Sequence, residues 1–150
     1  AKLVDAYAMR VARVAAHTRP HRPRVWFEEW DEPLISGIRW VSELIEVAGG
    51  QDVFADLSHG PGARERIVTP EAAAAAMPEV ILASWCGKKV VPARIAGRPG
   101  WDRVPAVRDG RIHEIKSPLI LSPGPAALTA GLDALVEALW GGQAALGAVA

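Results

Sequence analysis

The chain has 150 residues, of which half are apolar and 23% are charged, so it has the size and composition of one folded domain rather than of a disordered segment. Its 17 basic and 17 acidic residues give a formal charge of zero, which lacks the basic excess that a nucleic-acid partner requires. One cysteine excludes an internal disulfide and a CxxC metal or redox motif, and the absence of any run of about 18 apolar residues excludes a membrane span.

The first predicted element is an amphipathic helix at the amino terminus. Apolar residues recur at helical spacing from Leu3 to Val14, and Pro20 ends the pattern. Residues 1–24 contain six basic residues and one acidic residue, Asp5. Such a basic segment can bind a membrane surface or nucleic acid, but more often its charged side chains only form a solvent-exposed face. The chain begins without a charged and then apolar leader, and we expect it to be part of a longer protein.

A strand, an acidic loop and a second helix follow. Residues 24–28 are β-branched and aromatic, which predicts a strand, and the polar residues 29–33 predict a loop. The apolar spacing over 38–48 predicts a helix, with Ser36 as its N-cap and Gly49 at its end.

The middle of the chain contains a loop, a helix and a buried strand. Residues 51–66 are polar and glycine-rich and predict a loop. Thr69, followed by a proline and an acid, is a helix-start signature, and the alanine run 72–76 continues that helix until Pro78. The continuous apolar run 79–84 predicts a strand of a parallel sheet that is buried on both faces.

Short elements separated by turns make up the last third of the chain. A strand is expected directly after the Asp-Gly pair at 109–110, because this pair favours a tight turn. The predicted elements are, in order, a loop over 85–89, a short helical turn over 92–97, a strand over 111–115, a loop over 116–118 and a helix over 128–139.

This order of helices and strands predicts an α/β fold, a three-layer sandwich with a largely parallel central sheet. Ligands of such folds bind beyond the carboxyl ends of the strands. That rule selects three loops as candidate site segments, namely 28–33, 85–89 and 116–118.

Two tryptophans directly follow predicted strands and are the leading candidates for ligand contact. Trp30 and Trp85 each lie in an otherwise polar loop, where an indole ring offers a flat apolar surface with one N–H donor. Trp26, Trp40 and Trp140 lie within a strand or helices, and we expect them to pack in the core.

The acidic residues of the first loop allow three roles. Glu28, Glu29, Asp31 and Glu32 could coordinate a metal, pair with basic residues, or accept hydrogen bonds from ligand amides. Adjacent residues of an extended segment point to opposite sides, so at most two of the four carboxylates converge. We therefore expect no metal site here.

Cys86 is the candidate nucleophile if the chain is an enzyme. Lys88 and Lys89 would favour its thiolate form, and His59 or His113 would have to serve as the base. No catalytic cysteine motif surrounds Cys86, and no GxGxxG or GxxxxGK[ST] nucleotide signature occurs. The residues favour binding over catalysis, with no catalytic residue, no metal and no required cofactor.

Three segments resemble the cobalamin-binding branch of the ABC-transporter substrate-binding proteins, a family that also has siderophore- and haem-binding members. The segments are Glu-Glu-Trp-Asp-Glu-Pro-Leu-Ile-Ser-Gly over 28–37, Pro-Glu-Val-Ile-Leu-Ala-Ser-Trp-Cys-Gly-Lys-Lys over 78–89 and Ile-Lys-Ser-Pro-Leu-Ile-Leu-Ser-Pro-Gly-Pro over 115–125. Pro-Gly-Trp at 99–101 and Ala-Val-Arg-Asp-Gly-Arg at 106–111 also resemble this family. The first two segments are more specific to the cobalamin branch than the others.

The resemblance implies two Rossmann-like α/β lobes joined by one long helix, with the ligand in the cleft between them. Residues 1–23 then correspond to the carboxyl part of the interlobe helix and a linker, residues 24–142 to the carboxyl-terminal lobe, and residues 143–150 to a frayed tail. The amino-terminal lobe is missing from the sequence. The resemblance also implies a periplasmic or extracytoplasmic location, while the lack of a leader leaves a cytoplasmic one open.

The implied function is non-catalytic cobalamin binding for uptake, with the corrinoid and an ABC permease as partners. The resemblance places ligand contacts at Trp30, Asp31, Trp85, Cys86 and Ser117, and the expected site also includes their neighbours Glu29 and Lys88. Family members dock on the permease through an exposed glutamate on each lobe, but residues 116–122 contain no acid, and Glu114 is the nearest. Haem or siderophore binding, a thiol enzyme and a dimerising module remain as alternatives.

Overall fold

The computed structural model describes residues 2–17, 19–122 and 124–141, so the predicted tail 143–150 lies outside the described residues. The helices are α1 (Lys2–Ala16), α2 (Arg39–Val47), α3 (Pro70–Ala75), α4 (Pro92–Ala96), α5 (Pro105–Arg108), α6 (Ser117–Ile120) and α7 (Leu132–Trp140). The strands are β1 (Arg24–Asp31), β2 (Leu34–Ser36), β3 (Gln51–Asp52), β4 (Ile67–Val68), β5 (Val80–Ala83) and β6 (Ile112–Glu114). Short 3₁₀ turns at Ala55–His59, Ala63–Arg66 and Trp101–Arg103, and a π turn at Ala127–Gly131, connect them.

One mixed sheet forms the centre of the fold. The strand order is β4-β2-β1-β5-β6, and β3 also pairs with β1. The pairs β1–β3, β1–β5 and β5–β6 are parallel, whereas β1–β2 and β2–β4 are antiparallel. This mostly parallel sheet with helices around it confirms the predicted α/β class.

The core lies on both faces of the sheet. Val25 and Phe27 of β1 belong to an apolar cluster with α2 and α7, and Trp26 belongs to a second cluster with α3, α4 and α5. The run Val80–Ala83 is fully buried, and its side chains alternate between the two clusters. A continuous apolar run therefore marks a strand covered on both faces, as predicted.

The predicted loop 29–33 is wrong in part, because β1 continues to Asp31 and only Glu32 and Pro33 form the turn before β2. The Glu32–Pro33 peptide bond in the turn is cis. A bulge between Glu28 and Trp30 shifts the register of the two strands. Backbone pairing with β2 thus outweighs the loop preference of this polar, proline-containing segment.

Three further local predictions are corrected. Ser36 belongs to β2 and its hydroxyl donates to the Arg66 carbonyl at 3.1 Å, so it does not cap α2, whose N-cap is Ile38. The predicted loop 116–118 is wrong in part, because Ser117 begins α6 and proline is accepted in the first helical turn. Residues 51–66 also hold more structure than a loop, namely β3 and two 3₁₀ turns.

The predicted helix start at Thr69 is confirmed. Its side chain accepts a hydrogen bond from the Ala72 amide at 3.1 Å, and Pro70 is the first residue of α3. The cap satisfies one of the amide groups that the first helical turn leaves without a partner.

Helix α1 packs on the rest of the fold only near its carboxyl end. Val14 is fully buried and Arg10 forms an ion pair with Asp133 of α7, whereas Leu3 and Val4 are more than 60% exposed. The predicted apolar stripe therefore does not face the core over the first turns. No helix within 2–17, 19–122 and 124–141 has both the length and the apolar character that crossing a bilayer requires.

The linker between α1 and β1 is held by Glu79, which gives stability a defined pH dependence. Its carboxylate accepts from the Arg24 amide at 3.0 Å and contacts His21 Nε2 at 2.8 Å. Burial alone would raise the pKa of Glu79, but these two hydrogen bonds and the charges of His21 and Arg111 outweigh it and lower the pKa.

Replacement of Glu79 by glutamine should flatten the acid side of the stability profile. A depressed pKa stabilises the fold above the unfolded value of about 4.3, and this contribution is lost as the pH falls through the folded pKa. Urea unfolding between about pH 3 and 6 should show a smaller loss of stability for Glu79→Gln than for the unmodified chain. The control Glu65→Gln, at an exposed position, should keep the original profile, and equal profiles for all three proteins would contradict the assignment.

Candidate functional site

The carboxyl ends of three strands meet at one edge of the sheet. Glu28 of β1 pairs in register with Ala83 of β5, and Ala83 pairs with Glu114 of β6. The segments that follow these strands are therefore neighbours, as the sequence rule requires.

Glu28 is the centre of a buried polar cluster at this edge. It is 0% exposed and accepts hydrogen bonds from the indole N–H groups of Trp26 (3.0 Å) and Trp85 (2.8 Å). Arg98 donates two more through Nη1 and Nη2, at 2.7 and 2.8 Å. Four donors occupy this carboxylate, so Glu28 is neither a metal ligand nor a ligand contact.

The expectation that Trp85 offers an open aromatic face is wrong. Trp85 is only 1% exposed and belongs to the second apolar cluster, together with Ile95 and Trp101. Its N–H is bound to Glu28, which holds the ring inside the fold. Trp85 is a core residue that positions the turn after β5.

Glu29 is also engaged by the protein itself. Its carboxylate contacts Arg66 Nη1 at 3.1 Å and accepts from the Ile38 amide at 3.1 Å, at the start of α2. The side chain of Arg66 is 4% exposed, so this ion pair is mostly shielded from water. Glu29 therefore fixes the hairpin to α2 rather than facing an opening.

Trp30, Asp31 and Lys88 form one contiguous group. The Lys88 ammonium lies 4.6 Å from the centre of the Trp30 ring and 2.8 Å from Asp31 Oδ1. Trp30 is partly exposed, and its N–H donates to the Glu32 carbonyl at 3.1 Å. Asp31 is buried and is also approached by Arg94 at 3.5 Å. This group holds one indole ring in a fixed orientation with part of its surface open.

The remaining predicted contacts, Cys86 and Ser117, lie on the same edge. Cys86 is exposed in the turn after β5, and the Ser117 hydroxyl donates to the Trp85 carbonyl at 3.2 Å. In the part of the chain that the structure describes, no base is hydrogen-bonded to Cys86 and no three His, Cys, Asp or Glu residues are grouped for a metal. For His113, one of the two histidines considered as a base for Cys86, burial and then the Arg111 charge lower the pKa.

An open groove of about 470 Å³ lies beside this group, and we name it the lysine groove. Its lining residues are Gly87, Lys88, Lys89, Glu114, Lys116, Ser117 and Pro118. Glu114 accepts from the Val90 amide and from Lys116, both at 3.0 Å. These contacts, with the amide bond the largest, outweigh burial and lower the pKa of Glu114.

The sequence rule correctly brings the three strand-end segments to one edge of the sheet, but sequence reasoning missed the arginines that organise it. Of the three roles considered for the acids, pairing with basic residues is confirmed for Glu28, Glu29 and Asp31. Their partners Arg66, Arg94 and Arg98 are distant in sequence. The spacing of two arginines four residues apart, at 94 and 98, is the one signal that could have suggested a pairing face.

Removal of Arg98 should strongly destabilise the fold. Arg98→Met leaves the carboxylate of Glu28 buried without its charged partner, an arrangement that costs about 3–5 kcal/mol. Urea or thermal unfolding measures this loss. The control Arg103→Met, at an exposed position, should change stability by less than about 0.5 kcal/mol, and similar stabilities for the two variants would show that the buried pair does not organise the site.

Comparisons with known proteins agree with this architecture. Residues 1–119 match the periplasmic binding protein family. No curated protein sequence matches the chain. Family members are transport substrate-binding proteins, which bind a small molecule and deliver it to an ABC permease.

Three solved structures illustrate the similarity. A possible iron-binding, periplasmic solute-binding protein from Staphylococcus epidermidis has a TM-score of 0.76 at 20% identity and covers 93% of this chain and 54% of its own. The periplasmic heme-binding protein RhuT from Roseiflexus sp. has a TM-score of 0.63 at 26% identity, over 91% and 55% of the two chains. The periplasmic vitamin B12 binding protein BtuF of Vibrio cholerae has a TM-score of 0.67 at 20% identity, over 92% and 51%.

The chain thus spans about half the length of the solved structures that it matches. Because the family match covers most of its residues, the chain belongs to the periplasmic binding protein family.

Proposed function

We propose that the chain is the carboxyl-terminal lobe of an ABC-importer substrate-binding protein and that the whole protein binds a corrinoid, cobalamin in particular, for uptake from outside the cytoplasm. Residues 1–23 would belong to the helix and linker between the lobes, and residues 24–142 to the lobe itself. The resemblance of residues 28–37 and 78–89 to the cobalamin branch supports this ligand, as does the similarity to BtuF.

The observation that carries the proposal is the fixed, partly open indole of Trp30 at the strand-end edge. Its N–H is bound to Glu32 and its ring is in contact with Lys88, so little side-chain freedom is left to lose when a ligand binds. A corrin is large and flat, and covering the ring buries apolar surface at about 25 cal/mol per Å².

Polar groups around Trp30 are placed to meet the amide arms of a corrin. Cys86 is exposed in the turn after β5, Ser117 lines the lysine groove, and Asp31 lies behind the Lys88 ammonium. Such a mixture of one aromatic surface and a few oriented polar groups is typical of small-molecule sites. No catalytic step is required of any of these residues.

Haem is the second candidate, and a specific observation favours it. Lys89 is exposed at the groove and could pair with a carboxylate of haem. RhuT, a heme-binding protein, is one of the structural relatives. Competition between cobalamin and haem for the same protein sample distinguishes these candidates.

Trp30→Ala should weaken ligand binding about 30-fold, the effect of losing an aromatic contact worth about 2 kcal/mol. The full-length protein that contains this chain is titrated with cyanocobalamin and with haemin, and binding is followed by tryptophan fluorescence and ligand absorption. Trp30→Phe keeps an aromatic ring and should retain most of the affinity, and an unfolding curve for each variant shows that it is folded.

Several outcomes would contradict the proposal. Binding of neither ligand by the unmodified protein would reject the proposed function. Tight binding of haemin alone would replace the corrinoid by haem. Unchanged binding in Trp30→Ala would move the site away from this edge of the sheet.

A further inference from the structure

The lysine groove has more basic groups than nearby acids can neutralise. Lys88 is paired with Asp31 at 2.8 Å, and Lys116 is paired with Glu114 at 3.0 Å. Lys89 is exposed, and no carboxylate among the described residues lies within ion-pair distance of it. The groove lining thus holds three lysines and one acid, Glu114, while Asp31 pairs with Lys88 from outside the lining, which leaves one positive charge at the groove.

Both acids have other partners, and Lys89 is the smallest of the causes that lower the pKa of Glu114, after the Val90 amide bond and Lys116. The side chain of Asp31 is 3% exposed, behind Lys88 and Arg94. Glu114 already accepts from the Val90 amide and Lys116, one bond to each carboxylate oxygen. The excess charge is that of Lys89, which is exposed and lines the groove, so an anionic group of a ligand can reach it.

Lys88 connects the groove with the proposed aromatic contact. Lys88 lines the groove and its ammonium also lies over the Trp30 ring at 4.6 Å. Gly87, which precedes Lys88 and also lines the groove, has a φ of +76°, and no atom lies within 4 Å of the position that its Cβ would occupy. One ligand could thus cover Trp30 and place a substituent in the groove.

We propose that the lysine groove binds one singly charged anionic substituent of the ligand, a phosphodiester or a carboxylate, with Lys89 as the specificity-determining residue. This inference rests on the proposed function, because it assigns a second contact region to the same ligand. A phosphodiester and a carboxylate each carry one negative charge and offer oxygen acceptors to an ammonium group. Neutral ligands of the same shape would leave Lys89 without a partner.

The test compares ligands that differ in the anionic group. Cyanocobalamin carries a phosphodiester that dicyanocobinamide lacks, and haemin carries carboxylates that its dimethyl ester lacks. Lys89→Gln in the full-length protein should weaken cyanocobalamin binding about fivefold at low salt and leave dicyanocobinamide binding unchanged. The effect of Lys89→Gln on cyanocobalamin binding should largely disappear at about 0.5 M salt, because the exposed charge is screened.

Lys2→Gln is the matched control, since it removes one exposed lysine charge on α1, outside the groove lining. It should not change the ratio of the two affinities. If Lys89→Gln weakens both corrinoids equally, or neither, the anionic contact is overturned while cobalamin binding itself stands. If haemin proves to be the ligand, a Lys89→Gln effect on haemin but not on its dimethyl ester identifies a carboxylate as the anionic group.

A ligand-independent measurement separates this inference from the proposed function. Diethyl phosphate is titrated into the protein, and the side-chain NMR signals of Lys89 and Lys2 are compared. A selective, saturable shift at Lys89 supports the groove even if no corrinoid or haem binds. Equal, unsaturated shifts at both lysines would overturn it.

Discussion

A buried carboxylate with four N–H donors determines how the strand-end edge is built. Glu28 links Trp26 within β1, Trp85 after β5 and Arg98 after α4, and no part of it reaches solvent. Removing a carboxylate from water is costly, and only a complete set of charged and neutral donors makes this position tolerable. The requirement for those donors fixes the positions of three separate segments at once.

The position of Trp85 then decides which residues of the following turn face outward. With the indole N–H held inside by Glu28, the next four residues, 86–89, are all exposed. Lys88 folds back over Trp30 and Asp31, while Lys89 remains in the groove. A structural hydrogen bond in the core thereby sets the chemistry of the surface beside it.

Structural features that depend on residues close in sequence could be predicted, whereas features that depend on contacts between residues distant in sequence could not. The apolar run 79–84 and the Thr69 cap depend on neighbouring residues, and both were correctly assigned. The short strands β3 and β4 have two residues each, too few for any periodicity to show.

The same distinction applies to the candidate site. The rule on strand ends located the edge, because it follows from topology alone. The burial of Trp85 depends on a hydrogen bond across 57 residues, and the Glu28 ion pair on a partner 70 residues away. Nothing in the local pattern around either residue reveals these partners, so an indole that packs in the core resembled one that meets a ligand.

The bulge in β1 falls where the strand changes from fully buried to partly exposed. Trp26 and Glu28 are 0% exposed, whereas Trp30 packs against the same apolar cluster as Trp26 with part of its ring open to solvent. Glu29 is the additional residue of β1 at this register shift, and its carboxylate contacts Arg66 and the amide at the start of α2. Because a bulge bends its strand and increases the local twist, one irregularity in pairing lets a single short segment contribute both to the interior and to the rim of the lobe.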